Sequence, residues 1–119
     1  MITISDTEYF LKAVLFGLKL RLFSNDVVPG KNDVIGDYTE VKGAGYKAIP
    51  LDINSLQFKN NYVVIDKEFE INSESVVYGY YLTVGKNLFG AERFSDGPYE
   101  IGLAGGKIHI KSTMYLMTR

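Results

Sequence analysis

Cysteine and tryptophan are absent from this sequence, histidine occurs once and proline three times. Without cysteine the chain has no disulfide framework and no thiolate nucleophile, and it suits a reducing compartment. No apolar run reaches the roughly 18–20 residues that span a bilayer. The N-terminus also lacks the basic region, apolar core and cleavage site of a signal peptide. We therefore expect no membrane partner.

Charge and hydrophobicity are both ordinary. Lys and Arg number 13 against 14 Asp and Glu, so the net charge of −1 offers no broad positive field for nucleic acid. Hydrophobic residues make up 46% and charged residues 23%, which is typical of a folded protein. The nine Tyr, seven Phe and 12 Gly favour strands and turns. We predict one domain over residues 1–119 that binds no nucleic acid.

Only one segment has the pattern of an α-helix, and it lies at Ile4–Gly17. Ser5 followed by Glu8 fits a capping box, and a glycine is a natural C-terminal stop. Phe10 and Val14 share an apolar stripe that is broad for so short a helix. The stripe must be covered, either by the sheet of the same domain or by a partner protein.

After this segment the apolar pattern changes to the alternation that is typical of β-strands. The leucines of Leu18–Asn25 all fall on one face, and Lys107–Met117 alternates in the same way. Pro50 predicts an edge strand or a strand end. Shorter strands are predicted at Asp37–Val41, Tyr46–Ile49, Tyr62–Ile65 and Glu68–Ile71, with Asp66-Lys67 as a tight connection or bulge. Seven or eight strands predict a mainly β fold, an antiparallel β-sandwich or jelly roll at residues 18–119 behind the N-terminal helix within residues 1–17.

The clearest strand pair is the hairpin at Val76–Ser95, which turns at Gly85-Lys86-Asn87. In its second strand, Glu92 is expected to share a face with Leu88 and Phe94. A carboxylate that is partly covered there needs a partner, such as a basic residue of a neighbouring strand or subunit. The alternation places the first strand's side chains on two faces, with Tyr78, Tyr80 and Leu82 on one and Tyr81 and Thr83 on the other.

None of the polar residues forms a recognisable catalytic or metal-binding pattern. His109 lies between Lys107 and Lys111, which would repel a cation, and it has no second histidine or cysteine nearby. Gly102–Gly106 lacks the Gly-Lys-Ser/Thr sequence of a phosphate-binding loop and is predicted to be a turn. Turn chemistry accounts for the acidic residues after the first long strand, which do not have EF-hand spacing; they are Asp26, Asp33 and Asp37. We expect no enzymatic activity, no cofactor and no metal.

Several short motifs together resemble a group of small virion proteins of tailed bacteriophages. They are LKLRLFSNDVVP, DYTEV, GYKAIPL, VVYGYYLT and FGAERFSD, which span Leu18 to Phe94 behind the predicted helix. The family pattern has a Leu-Lys-Leu-Tyr-x-Asn-Asp-x-x-Pro start and a Tyr-Gly-Tyr-Phe … Ala-Glu-Arg-Phe hairpin. This chain departs by having Asp37-Tyr38 where the pattern has Phe, and by lacking Trp near Phe58 and Phe89.

The resemblance implies a structural component of the virion, assembled in the host cytoplasm. Such a protein would decorate or cement the capsid shell, binding the major capsid protein or another virion protein, as a homo-oligomer. Attachment to a tail or head fibre is an alternative. The tyrosines of the hairpin leave another open, a glycan-binding module in which Tyr78, Tyr80 and Tyr81 stack on sugar rings. The predicted partner interface consists of Phe10, Val14, Tyr80, Tyr81, Glu92 and Arg93.

Overall fold

The computed structural model describes residues 2–4, 13–14, 16–52, 54, 56–58 and 62–116. Within these residues ten strands are assigned, and a 3-10 turn at Ile35–Asp37 lies in the long loop between the second and third. In chain order the strands are β1 (Ile2–Ile4), β2 (Leu18–Phe23), β3 (Ile49–Pro50), β4 (Gln57–Phe58), β5 (Tyr62–Ile71), β6 (Ser75–Val77), β7 (Gly79–Val84), β8 (Asn87–Arg93), β9 (Tyr99–Ile101) and β10 (Gly106–Leu116).

The strands form two four-stranded sheets and one two-stranded sheet. The first has the order β1-β10-β5-β4, the second β3-β2-β7-β8, and β6 pairs with β9. All of these pairs are antiparallel except β1 with β10, which is parallel. The prediction of a mainly β, antiparallel fold is confirmed.

One hydrophobic cluster receives side chains from both four-stranded sheets. Leu18, Leu20 and Leu22 of β2 are fully buried, as their alternation predicts, and they face β7 residues of the same cluster. From the other sheet, the cluster includes Val63, Ile65, Phe69 and Ile71 of β5 and Ile108, Ile110 and Met114 of β10. Burying this apolar surface is the main source of stability.

A second cluster covers the opposite face of β2 and β7. Its buried members are Phe23, Tyr38 and Tyr81. The Tyr38 and Tyr81 rings stack with centroids 5.3 Å apart, and the Phe23 and Tyr38 rings pack in a T-shaped arrangement with centroids 5.1 Å apart. Tyr38 belongs to the β2–β3 loop, residues 24–48, which therefore lies across this sheet. The middle of the sheet is buried on both faces.

Among the described residues of Ile4–Gly17, the predicted helix is not seen. Ile4, its expected first residue, is the last residue of β1. Residues 5–12 and 15 lie outside the described residues. Ala13 and Val14 are buried and have helical backbone, and Gly17, with φ +94°, ends this turn before β2. The sequence pattern of Ser5 and Glu8 is local. It could not predict that Ile2–Ile4 pairs with β10, a strand more than 100 residues away.

Strand boundaries differ from the prediction in four further places. The predicted strand Asp37–Val41 is reduced to a single bridge from Glu40 to Phe23, because Asp37 is the last residue of the 3-10 turn and bonds within it. β3 is only Ile49–Pro50, at the sheet edge that Pro50 predicted. Asp66-Lys67 does not interrupt β5, whose ten residues pair continuously with β10. The short β9 was missed because turn-forming residues flank it.

Two face assignments in the hairpin are also wrong, and both have a backbone cause. The β7–β8 register shifts between Leu82 and Thr83, so Phe89 is an extra residue in β8. The shift turns Leu88 to the second cluster while Glu92 stays opposite Tyr80. Tyr78 lies in the break between β6 and β7 and also packs on the second cluster. The opposite orientations of Tyr80 and Tyr81 are confirmed.

Candidate functional site

A polar network joins the β2–β3 loop to the edge of β2. The Arg21 guanidinium donates to both carboxylate oxygens of Glu40 at 2.9 Å, and its Nε donates to Thr83 Oγ1 at 2.9 Å. The Tyr46 hydroxyl donates to Glu40 at 2.7 Å and accepts the Leu22 N–H at 3.0 Å. Burial raises the pKa of Tyr46, so its hydroxyl stays protonated and continues to donate. The Tyr46 hydroxyl thus accepts a backbone hydrogen bond from β2 at a position beyond the end of β3.

Two acidic residues of the loop, Asp33 and Asp37, bind the loop itself. Asp33 accepts the Gly30 N–H at 2.8 Å and the Tyr38 hydroxyl at 2.7 Å, and the Tyr38 hydrogen bond lowers the pKa of Asp33. Asp37 accepts the Val34 N–H at 2.9 Å. The Asn25 amide donates to the Asp37 carbonyl at 2.9 Å. These contacts confirm turn chemistry for Asp33 and Asp37, whereas Asp26 is bound by Arg93 of β8.

Arg93 fastens the start of the same loop to β8. Its guanidinium donates to Asp26 at 2.5 Å and to the Val27 carbonyl at 3.2 Å, and lies 5.1 Å from the centre of the Tyr78 ring. A cation over an aromatic face is attractive, more so when partly shielded from water. The Arg93 side chain is 29% exposed. It therefore serves its own chain, and only part of it can meet a partner.

On the core face, Tyr80 connects the two four-stranded sheets. Its hydroxyl makes a short hydrogen bond with Ser112 of β10 and donates to Glu92 Oε1 at 3.2 Å. Burial is the main cause of the raised pKa of Tyr80. A basic partner was predicted for Glu92, and the structure shows a hydrogen bond from the Tyr80 phenol. Glu92 is half-buried beside this bond.

A groove opens above Glu92 at the end of β8. Its central hollow has a volume of about 190 Å³ and lies between β8, β9 and β10; neighbouring hollows of about 330 and 350 Å³ share its lining residues. The rings of Phe94 and Tyr99 meet there, with centroids 4.8 Å apart and planes at 41°. The Tyr99 hydroxyl donates a short hydrogen bond to Asp96, which raises the pKa of Tyr99. Two tilted rings and several charges could contact a polar ligand, but they bring no nucleophile beside a base.

His109 is exposed on β10 and contacts the Asp66 carboxylate through a short hydrogen bond. This bond is the first cause of the lowered pKa of Asp66. Lys107 pairs with Glu68 at 3.6 Å along the same two strands. Within the described ranges, no group of three or more His, Cys, Asp or Glu side chains is placed to hold a metal ion.

The structure separates the predicted interface residues. Val14, Tyr80 and Tyr81 are only 6%, 2% and 3% exposed, so their side chains cannot contact a partner or stack on a sugar. Phe10 lies outside the described residues. Glu92 and Arg93 are half-buried on opposite faces of β8 and bind their own chain. The alternation correctly predicted that the side chains of Glu92 and Arg93 point to opposite faces. It did not predict that the β2–β3 loop covers Tyr81.

Comparisons with protein-family models, with curated proteins and with solved structures found no match. A separate search of the described residues for a helix long and apolar enough to cross a membrane found none.

The Tyr80 hydroxyl should stabilise the contact between the sheets. We expect Tyr80→Phe to lower the free energy of unfolding by about 1–2 kcal/mol, because Ser112 and Glu92 then lose a buried partner. Chemical denaturation measures the change. Tyr115→Phe is the matched control, since Tyr115 is 38% exposed and should tolerate the loss. Equal stability of the two variants would contradict the role of this hydroxyl.

Proposed function

We propose that this protein is a non-enzymatic structural component of a tailed-phage virion that decorates and stabilises the capsid shell. The proposal also gives the finer fold, in which the two four-stranded sheets pack face to face as a β-sandwich. The pairing of Tyr80 with Ser112 across the sheets and the single cluster that both sheets fill support this packing.

The observation that carries the proposal concerns the residues on which the family resemblance rests. Asp26 of the first motif binds Arg93 of the last, and Glu40 of the DYTEV motif binds both Arg21 and Tyr46. Motifs that are far apart in sequence therefore meet in one connected unit. Their polar groups bond one another, which fits a scaffold rather than a reaction centre.

Exposed apolar side chains at turns offer points of attachment. Leu103, between β9 and β10, is 84% exposed, and Phe16, before β2, is 77% exposed. Val28 and Val34 of the β2–β3 loop are 76% and 61% exposed. Stable protein contacts usually bury about 1,600 Å² in total, with apolar residues at the centre. Loop tips of this kind could contact a repeating shell without any catalytic group.

Mass spectrometry of purified native particles, with copy-number estimates, tests the proposal. A decoration protein should be present in numbers that match the capsomers, and the purified chain should rebind shells from which it has been removed. A few copies per particle would favour the tail or fibre alternative. Absence from particles, together with binding on a glycan array that Tyr99→Ala abolishes, would overturn the proposal in favour of a glycan-binding module.

A further inference from the structure

The three hollows of the groove at the end of β8 lie in a row. The central hollow, of about 190 Å³, shares Glu92 and Phe94 with the hollow of about 350 Å³. It shares Tyr99 and His109 with the hollow of about 330 Å³, and these two outer hollows have no described lining residue in common. Sites for small molecules usually occupy about 300–1,000 Å³. The central hollow is smaller than this, so the row suits a ligand of several linked units rather than one compact molecule.

An aromatic ring lies at each of the two junctions in this row. Phe94 lines both hollows at the first junction, and Tyr99 lines both at the second. Their centroids are 4.8 Å apart, so the two rings form one continuous apolar wall. Both side chains are half-buried and pack on the hydrophobic cluster that the two four-stranded sheets fill, and Tyr99 is also bonded to Asp96. A ligand therefore meets a wall that is already in place, which lowers the entropy cost of binding.

The charged side chains along the row are balanced in sign. Three carboxylates and three basic side chains, with one histidine, are among the described lining residues; they are Glu92, Asp96, Glu100, Arg93, Lys107, Lys111 and His109. With no excess of either sign, the row does not attract a polyanion such as nucleic acid, or a polycation. It does present both hydrogen-bond acceptors and donors, which a neutral ligand rich in hydroxyl groups can use.

We propose that this groove binds a neutral oligosaccharide. A sugar unit has an apolar face of C–H groups and a rim of hydroxyl groups, so it packs on an aromatic ring while its hydroxyls bond nearby charged side chains. Phe94 and Tyr99 then contact linked sugar units, and Glu100 and Lys111 bond their hydroxyls. A proline-rich peptide also packs on aromatic rings, but its prolines have no N–H and would give the carboxylates of the groove no donor. Sugar binding goes beyond the proposed virion role and does not depend on it.

Binding of oligosaccharides to the purified chain tests the proposal. A glycan array of neutral, sialylated and sulfated oligosaccharides supplies the probes, and calorimetric titration measures the dissociation constant of the neutral probe with the strongest signal. We expect Tyr99→Ala to raise this constant about tenfold or more, because half of the aromatic wall is lost. Tyr99→Phe keeps the ring and should stay within about threefold of the wild type. Tyr115→Ala is the matched control, since Tyr115 forms another ring pair, with Tyr62 at 6.0 Å, and does not line the groove.

A surface substitution keeps the test decisive if Tyr99→Ala does not fold. Lys111 is exposed and lines the central hollow, so Lys111→Ala should preserve the fold and weaken binding about threefold or more through the loss of a donor. The proposal would be overturned if no neutral oligosaccharide bound, or if neither substitution weakened the binding. Binding confined to sulfated or sialylated probes, or to a proline-rich peptide, would also overturn it. Because the purified chain is used alone, each of these results leaves the virion proposal to its own experiment.

Discussion

Gly79→Ala is expected to destabilise the protein by about 3 kcal/mol or more. A Cβ at this position would lie 2.3 Å from the Glu92 carbonyl oxygen and 2.6 Å from two ring carbons of Phe23. The backbone of β8 and the second cluster therefore meet over Gly79, and neither has room to move. Chemical denaturation monitored by circular dichroism measures the loss.

Gly36→Ala is the control for this substitution. Nothing lies within 4 Å of a Cβ built at Gly36, and its φ is not in the left-handed region. Alanine there should change the free energy of unfolding little, or raise it by up to about 1 kcal/mol by restricting the unfolded chain. If the two variants were equally stable, the close approach of β8 and Phe23 would be disproved.

The second large effect is expected for Phe23→Ala, which should cost about 3–5 kcal/mol. Phe23 is completely buried and its ring meets both Tyr38 and Tyr81. Removing the ring leaves a cavity between the sheet and the β2–β3 loop, because the loop is held elsewhere by Arg21 and Arg93. Calorimetry should show a lower melting temperature. Phe16→Ala is the matched control, since Phe16 is 77% exposed and should shift stability by no more than about 0.5 kcal/mol.

The two substitutions should not be additive. With the Phe23 ring removed, a methyl group at Gly79 loses one of its two clashes and keeps the one with the Glu92 carbonyl. We expect the double variant to be more stable than the sum of the single losses predicts. Strict additivity would show that Phe23 and the backbone at Gly79 do not share this space.

The period of two in the sequence predicted the strands whose burial pattern depends only on residues close together in the chain. The leucines of β2 and the alternation in β10 are examples, since one face of each strand is buried. The β2–β3 loop could not be predicted in this way. Arg21 meets Glu40 of this loop over a separation of 19 residues and Arg93 meets Asp26 over 67, and no local pattern records these pairs.

The bulge explains why part of the site was also missed. A period of two determines the facing side chains only while the register is regular, and one extra residue moves every later side chain to the other face. Nothing in the sequence around Phe89 marks it as the extra residue of β8. Glu92 was therefore correctly expected to be partly covered, while the assignment of Leu88 to its face was wrong.

The parallel pairing of β1 with β10 has a consequence for synthesis on the ribosome. Thr3 lies opposite Tyr115, so β1 cannot pair before β10 has been synthesised. Likewise, β2 cannot pair with β7 before β7 has been synthesised. Neither four-stranded sheet can close until most of the residues described here have been translated, because early strands pair with late ones. Such non-local pairing slows folding and leaves apolar strands unpaired in the meantime. A nascent chain that stops after β5 should therefore be more sensitive to protease than one that extends past β10.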